Sequence, residues 1–353
     1  MKGTEALNRH IRVRPIPNHL LGQKVMNTKP LQLGFNDRLE IKKSQRSIDS
    51  DRWAIVLAGG DGTRLRSLTR AIAGDDRPKQ FCPILRNETL LDQTRRRVSL
   101  AIKADQTLLS LTETHKGFYE PLVANVPVEN LVVQPGNLGT APAILYSLLR
   151  LSVLAPSATV AFFPSDHYFA DDQTFMSHVD SAFRAVRARP EMLVLLGIEA
   201  DRPEVEYGWI EPAPSILAPL GGAISRVRRF WEKPSQNVAK ELMKQGFLWN
   251  SFVMVGRVDA FLLMIQRAAP RLYEAFETVI PSLGTEFEYD AIHTLYSSIQ
   301  PSNFSHEVLS VRAEDLSVLP VRNVGWSDWG DPSRVLTTLA GIGIQTQWAQ
   351  SAS

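Results

Sequence analysis

The stretch Trp53-Ala54-Ile55-Val56-Leu57-Ala58-Gly59-Gly60-Asp61-Gly62-Thr63-Arg64-Leu65 decides how the chain is read. Its opening residues form a short apolar run with β-propensity, and glycines at 59, 60 and 62 end it abruptly. A strand that stops in glycines is entering a tight loop, because glycine alone takes up left-handed backbone without steric cost. Bare backbone N–H groups and Arg64 then stand directly after a buried strand, where a triphosphate could be cradled. The loop is neither G-x-x-x-x-G-K-[ST] nor G-x-G-x-x-G, so the P-loop NTPase and dinucleotide fingerprints both fail. Taken by itself, the loop reads equally well as a plain glycine turn.

Beyond the loop the alternation continues. Helical patterns near Leu90–Ala101, Ala141–Val153 and Thr174–Arg187 separate apolar runs at Thr107–Leu111, Leu131–Gln134, Thr159–Phe163 and Met192–Ile198. That order predicts an α/β fold: a doubly wound, mostly parallel, Rossmann-like sheet. After it, YGWIEP (207–212), ISRVRRFWEKP (224–234) and LWNSFVMVG (248–256) read as strands, with helices at Asn237–Gln245 and Val258–Ala268, so the second half adds strands around the same core. No internal repeat or long linker interrupts residues 51–345, which are expected to form one large domain followed by a short tail at 346–353.

With 353 residues and 44% hydrophobic content, the chain can bury one large core or two medium ones. Residues 1–50 carry ten Lys or Arg against four Asp or Glu, so at a net charge of +2 the remainder is mildly acidic. An acidic body gives no reason to expect a nucleic-acid partner. The first fifty residues show no helical or strand period and are read as a loosely ordered basic extension. No apolar run approaches the ~18 residues of a membrane span, and the N-terminus lacks the apolar core of a signal peptide. A cytoplasmic protein with no membrane partner is expected. The single cysteine, Cys82, lies between Phe81 and Pro83 and is expected to pack as a small hydrophobe.

Arg77-Pro78-Lys79-Gln80-Phe81 follows the glycine loop at short range and supplies a second cation, held near it by a rigid proline. GGDGTRL followed by PKQF resembles the start of the sugar nucleotidyltransferase family. PKQF is similar to its mannose-1-phosphate guanylyltransferase branch, whereas the first motif is shared by uridylyl-, thymidylyl- and adenylyltransferases. Further motifs arrive in the family's order: Gly139-Thr140-Ala141-Pro142-Ala143-Ile144, Pro164-Ser165-Asp166-His167, Tyr207-Gly208-Trp209-Ile210, Phe230-Trp231-Glu232-Lys233-Pro234, Trp249-Asn250-Ser251 and Gly325-Trp326-Ser327-Asp328-Trp329-Gly330. The resemblance covers about Trp53 to Leu339.

What the resemblance implies is a reaction between GTP and mannose 1-phosphate that yields GDP-mannose and pyrophosphate, with Mg²⁺ as cofactor and a homodimer as a candidate assembly. Arg64 and Lys79 become the catalytic cations. Gly59, Gly60, Gly62, Thr63 and Arg64 become the nucleotide-phosphate loop, and Gln134, Gly139 and Thr140 lie where the family contacts the base or turns the chain beside it. Tyr207, Gly208, Glu232, Lys233 and Asn250 become the sugar-phosphate site, with Lys233 on the phosphate and Glu232 and Asn250 on hexose hydroxyls. Asp166 and Asp328 become the metal ligands. Asp166 also ends an apolar strand run, where open α/β sheets place their ligand crevice, and a hard carboxylate there suits Mg²⁺; a helix-capping or turn aspartate is the other reading. His167 is expected to make a structural hydrogen bond, since Mg²⁺ prefers oxygen. Neither aspartate is expected to matter much for folding.

Four features depart from the family pattern. RLRSLTR replaces the usual proline-leucine-serine after the loop, Gly139 stands where many relatives have asparagine, Phe252 stands where they have glycine, and the usual serine-isoleucine-aspartate-tyrosine stretch is not evident around Asn303–Leu309. They leave open a transferase for another hexose phosphate or nucleotide. A catalytically silent homologue that senses GDP-mannose is the rival from another class, against which stand Arg64, Lys79, Asp166, Lys233 and Asp328. There is no room for the phosphomannose isomerase domain of some longer relatives, so a single activity is expected.

Overall fold

The computed structural model describes residues 51–85, 87–214 and 224–344. The expectations for residues 1–50 and for the tail at 346–353 lie outside the described residues. The strands are β1 (Arg52–Leu57), β2 (Thr107–Thr112), β3 (Leu131–Gln134), β4 (Thr159–Pro164), β5 (Leu193–Glu199), β6 (Trp209–Pro212), β7 (Ser225–Trp231), β8 (Leu248–Arg257) and β9 (Leu316–Val321). Among the described residues they form one sheet in the order β3-β2-β1-β4-β8-β5-β9-β7-β6. The class is the expected doubly wound α/β. β3, β2, β1 and β4 run parallel, while β8 enters antiparallel between β4 and β5.

Helices α1 (Arg66–Ala73), α2 (Leu90–Val98), α3 (Thr140–Leu154), α4 (Asp172–Ala188), α5 (Gln236–Lys244), α6 (Val258–Ala268), α7 (Pro270–Glu277), α8 (Glu288–Ser298) and α9 (Pro332–Gly341) surround this sheet. Their starts are written locally. Thr89 accepts from the Asp92 N–H at 3.1 Å ahead of α2, Asp171 accepts from the Thr174 N–H at 2.9 Å ahead of α4, and Asp331 with Pro332 opens α9. Each side-chain cap contributes about 0.5–2 kcal/mol.

Alternation along β1 builds two cores. Trp53 and Ile55 pack with Ile144 and Leu148 of α3 and Phe261 of α6, whereas Ala54 and Val56 pack with Leu91 of α2 and Val179 of α4. Phe162 meets Phe261 edge to face at 5.2 Å and is fully buried, so its truncation to alanine would cost about 3–5 kcal/mol. Cys82 is fully buried, and burial pushes its thiol up to about 12, in keeping with a packing role.

β8 carries the main irregularity. Met254 pairs with Leu195 but Asn250 pairs with Gly197, so Ser251, Phe252 and Val253 face a single residue of β5. Phe252 sits at the crest of this bulge with φ 60°. Side-chain bonds replace the missing ladder: Phe252 N–H donates to Asn250 Oδ1 at 3.0 Å, and Ser251 donates from Oγ to the Leu196 carbonyl at 2.6 Å.

Candidate active site

The parallel register sets Leu57 of β1 opposite Pro164 of β4, so the loops leaving both strands emerge side by side. From β1 the chain winds outward through β2 to β3 and then returns to β4 on the other side. That reversal opens a crevice at the carboxyl ends of the strands.

The glycine loop is held by its neighbours. A Cβ on Gly59 would lie 2.7 Å from Thr112 Oγ1, and one on Gly62, at φ 59°, would lie 2.9 Å from the Lys79 nitrogen. Gln80 is buried and donates from Nε2 to the carbonyls of Ala58 at 3.0 Å and Gly60 at 2.7 Å, tying the loop to the PKQF segment. Asp61 meets His115 Nε2 at 3.1 Å and accepts from Asn137 Nδ2 at 2.9 Å. Burial holds the His115 imidazole below its ordinary pKa even beside that carboxylate.

Lys79 is 7% exposed, although a surface cation would be the ordinary fate of lysine. Its ammonium lies 3.1 Å from Asp166 Oδ2 and donates to the backbone oxygens of Asp328 at 2.6 Å and Trp329 at 3.0 Å. It thereby joins the PSDH and GWSDWG segments. Asp328 Oδ1 accepts from Tyr207 Oη at 2.9 Å, Gly330 N–H at 2.9 Å and Arg334 Nη1 at 2.8 Å. Burial alone would raise the Asp328 pKa, but His167, Lys79 and Arg334 outweigh it and hold the carboxyl below its usual range. The expectation of a small folding role is therefore revised for Asp328, whose charge is built into a bonded network. Asp166 is less enclosed, its side chain 30% exposed, and its tie to the fold is the ion pair with Lys79. His167 is partly buried and accepts from Trp326 Nε1 at 3.3 Å through Nδ1, the structural bond expected of it.

Sugar-phosphate candidates gather at another corner. β6 pairs with both β7 and β8, Trp209 lying opposite Trp231 and Trp249. Residues just before β6 (Tyr207, Gly208), just after β7 (Glu232, Lys233) and in β8 (Asn250) are thus neighbours. A Cβ on Gly208 would come 3.1 Å from Glu232 Oε2, and Gly208 O accepts from the Asn250 backbone at 2.8 Å. Burial raises the Glu232 pKa against the opposing pull of Lys233 and His306. Lys233, at φ 45°, keeps its ammonium exposed.

A cavity of about 370 Å³ lies in the crevice and is lined by Gly59, Gly60, Gln134, Gly139, Thr140 and Asp166 of the sequence candidates, together with Phe252 and Asn303. Gln134 is engaged at both ends, accepting from Tyr296 Oη at 3.0 Å and donating weakly to Leu111 O at 3.4 Å; Thr140 Oγ1 accepts from the Phe304 N–H at 2.8 Å. Thr63 and Arg64 form a short turn outside that lining. Arg64 Nη1 reaches Glu206 Oε2 at 3.3 Å, and Lys233 Nζ approaches the same oxygen at 3.8 Å. Glu206 thus stands between the cation of the nucleotide loop and that of the sugar corner.

Glu206 and Arg334 escaped the sequence reading. Arg334 also pairs with Glu204 at 3.1 Å and Asp331 at 3.0 Å, and its guanidinium lies 4.8 Å from the centroid of the Tyr207 ring. The available signals were position alone: Glu206 directly precedes Tyr207-Gly208, and Arg334 sits in the first turn of the helix after GWSDWG. Among the described residues no group of three or more His, Cys, Asp or Glu could hold a metal. Asp166 and Asp328 offer two carboxylates, and this suits Mg²⁺, which is ordinarily held by one or two carboxylates plus substrate phosphates and water.

The profile of a family described as nucleotidyl transferase matches residues 53–342. The chain belongs to the nucleotidyl transferase family. This nucleotidyl transferase is 28% identical over 281 residues to alginate biosynthesis protein AlgA of Pseudomonas syringae pv. tomato, a match covering 78% of the chain and 56% of that protein. It is 26% identical over 286 residues to mannose-1-phosphate guanylyltransferase of Escherichia coli K12, covering 80% of the chain and 58% of the relative. It spans a little over half the length of these curated relatives. A crystal structure from Thermus thermophilus, described as mannose-1-phosphate geranyltransferase, matches it with a TM-score of 0.69 at 28% identity, over 81% of this nucleotidyl transferase and 79% of that chain. No helix among the described residues is long and apolar enough to cross a membrane.

Proposed function

We propose that the protein transfers GMP from GTP to α-D-mannose 1-phosphate, giving GDP-mannose and pyrophosphate. The observation that carries this reading is the convergence of Arg64 and Lys233 on one point, Glu206 Oε2. Two cations from separate elements with a single carboxylate between them suit a reaction that must bring two polyanions together. The names of the relatives supply the substrates.

An oxygen of the sugar phosphate attacks the α-phosphorus of the nucleotide, a new P–O bond forms, and the bond to the β-phosphate oxygen breaks as pyrophosphate leaves. The nucleophile is already anionic, so no general base and no covalent enzyme intermediate are needed. Arg64 binds the triphosphate from the glycine loop, Lys233 orients the sugar phosphate, and Lys79, fixed by two carbonyls, holds Asp166 in place. Mg²⁺, held by Asp166 and Asp328 with phosphate oxygens and water, would offset charge gathering at the α-phosphate. Tyr207, whose hydroxyl burial keeps protonated, donates to Asp328 and keeps that carboxylate oriented.

A pyrophosphate-release assay over a grid of nucleoside triphosphates and sugar 1-phosphates tests the assignment. GTP with mannose 1-phosphate should give the highest kcat/KM, and a clear preference for another pair would overturn it. The departures at Gly139 and Phe252, both in the cavity wall, favour a transferase for another nucleotide or hexose as the second reading. A silent sensor would bind GDP-mannose and release no pyrophosphate with any pair.

A further inference from the structure

Three places where the sequence departs from the family pattern, Gly139, Phe252 and the stretch around Asn303–Leu309, meet in space on one wall of the crevice. Ser302 N–H donates to Leu138 O at 2.9 Å, Ala141 N–H donates to Ser302 O at 3.1 Å, and Phe304 N–H donates to Thr140 Oγ1. The two segments are so close that a Cβ at position 139 would lie 2.3 Å from Ser302 O, and Gly139 has φ 92°. An asparagine does not fit there. The segment continues into a π-helical turn at Ser305–Leu309, a form common at functional sites. Phe304, fully buried, backs Phe252 with ring centroids 6.3 Å apart and planes at 77°.

Phe252 itself is anomalous in two respects. Within Leu248–Gly256 it is the one residue that is not buried, and it holds left-handed backbone that glycine would adopt without strain. An aromatic ring kept against strain at a bulge beside a crevice points to a ligand contact. Its neighbours across the cavity are Gly59, Gly60, Gln134, Gly139 and Thr140, the nucleotide candidates, whereas Glu232 and Lys233 are absent from the lining.

We infer that Phe252, backed by Phe304, is a specificity-determining wall of the donor subsite that packs against the flat face of the base of a bound nucleoside triphosphate. The inference rests on the nucleotidyltransferase reading of this crevice. Asn303 adds a polar group to the same wall: its Oδ1 accepts from the His306 N–H at 3.0 Å, and its side-chain amide is then the end left to face a ligand.

The test is calorimetric titration of GTP, ATP, UTP and dTTP into the full chain with Mg²⁺, as wild type, Phe252→Gly and Phe252→Leu, with sugar-phosphate KM measured in parallel and folding checked by urea midpoint. Loss of an aromatic contact to a base is expected to weaken the preferred triphosphate about tenfold in both folded variants and to narrow the preference among bases, leaving sugar-phosphate KM within about twofold. Phe252→Leu preserves bulk over Phe304, so it keeps the question open to measurement if the glycine variant fails to fold. Triphosphate affinity within about twofold of wild type in the folded variants, or weakening confined to the sugar phosphate, would overturn the inference. So would wild-type affinity in the leucine variant alone, since the ring would then be a mere spacer. If the wild type prefers a triphosphate other than GTP, the guanylyl assignment fails while the Phe252 comparison proceeds on that donor.

Discussion

Lys79 Nζ lies 3.1 Å from Asp166 Oδ2, and the same ammonium is spent on two backbone oxygens of the GWSDWG segment. A lysine in this position is both a charge and a clamp. Lys79→Met should therefore lower turnover by at least ~10²-fold and also destabilise the fold by about 2 kcal/mol. The figure is below the ~3–5 kcal/mol for a fully buried broken pair because Asp166 is partly solvated. Urea midpoints read beside turnover check this. An unchanged midpoint with lost activity would assign Lys79 to substrate alone.

The two aspartates should separate in stability while agreeing in activity. Asp166→Asn and Asp328→Asn are each expected to reduce turnover at least ~10²-fold, and the wild type should lose activity in chelator and regain it with Mg²⁺. Asp166→Asn, which removes the counter-ion of Lys79 but leaves its two carbonyl partners, should melt about 2–4 °C below wild type, whereas Asp328→Asn, which weakens an acceptor shared by Tyr207, Gly330 and Arg334, should melt about 5–8 °C lower. Chelator-insensitive turnover would remove the metal assignment.

Under the proposed reaction, Glu206 would compete with substrate phosphates for Arg64 and Lys233, both of which it pairs with. Its carboxylate and both cations are about half exposed, which keeps each pair weak. Glu206→Gln is expected to lower KM for the sugar phosphate about two- to fivefold at low salt, with the gain shrinking at ~0.5 M salt. A KM that rises in the glutamine variant would instead make Glu206 a substrate contact.

Lys233→Ala should raise the sugar-phosphate KM by about 10–100-fold and leave triphosphate affinity nearly unchanged. Titration calorimetry with each substrate separates the two effects. Weakened triphosphate with normal sugar-phosphate use would place the lysine on the other substrate.

Burial holds the imidazoles of His115 and His167 below the ordinary histidine range in the folded state. Their unfolded forms bind protons from about pH 6.5 downward while the folded forms resist. The stability they contribute is full above that value and is lost as the pH falls below it through the folded-state pKa. The urea midpoint should therefore drop between about pH 6.5 and 5, and His115→Gln should flatten part of that slope. A midpoint constant over this window would mean that both rings protonate freely in the native protein.

Much of the parallel half was legible because its signals are local. Each strand there is a short apolar run, and Thr89 and Asp171 mark helix starts beside the residues they cap. The predicted helix at Val258–Ala268 matches α6 at both ends. The residues of β8 also read as a strand, but its antiparallel entry between β4 and β5 depends on partners distant in sequence. The same holds for charges: Arg64 and Glu206 are 142 positions apart, so no spacing rule could join them. Phe252 showed only as an unexpected residue type, since the bulge that turns it toward the crevice comes from a register shift against β5.

The place of β8 also dictates an order of assembly. It is synthesised after β4, β5, β6 and β7, yet it is the strand that separates β4 from β5. A nascent chain halted before Leu248 presents β4 as a raw edge, with Val160 and Phe162 awaiting Gly256 and Met254. Such edges recruit strands from other chains. Slow translation ahead of Leu248, or truncation there, should therefore divert the protein into aggregates by leaving the sheet without its keystone.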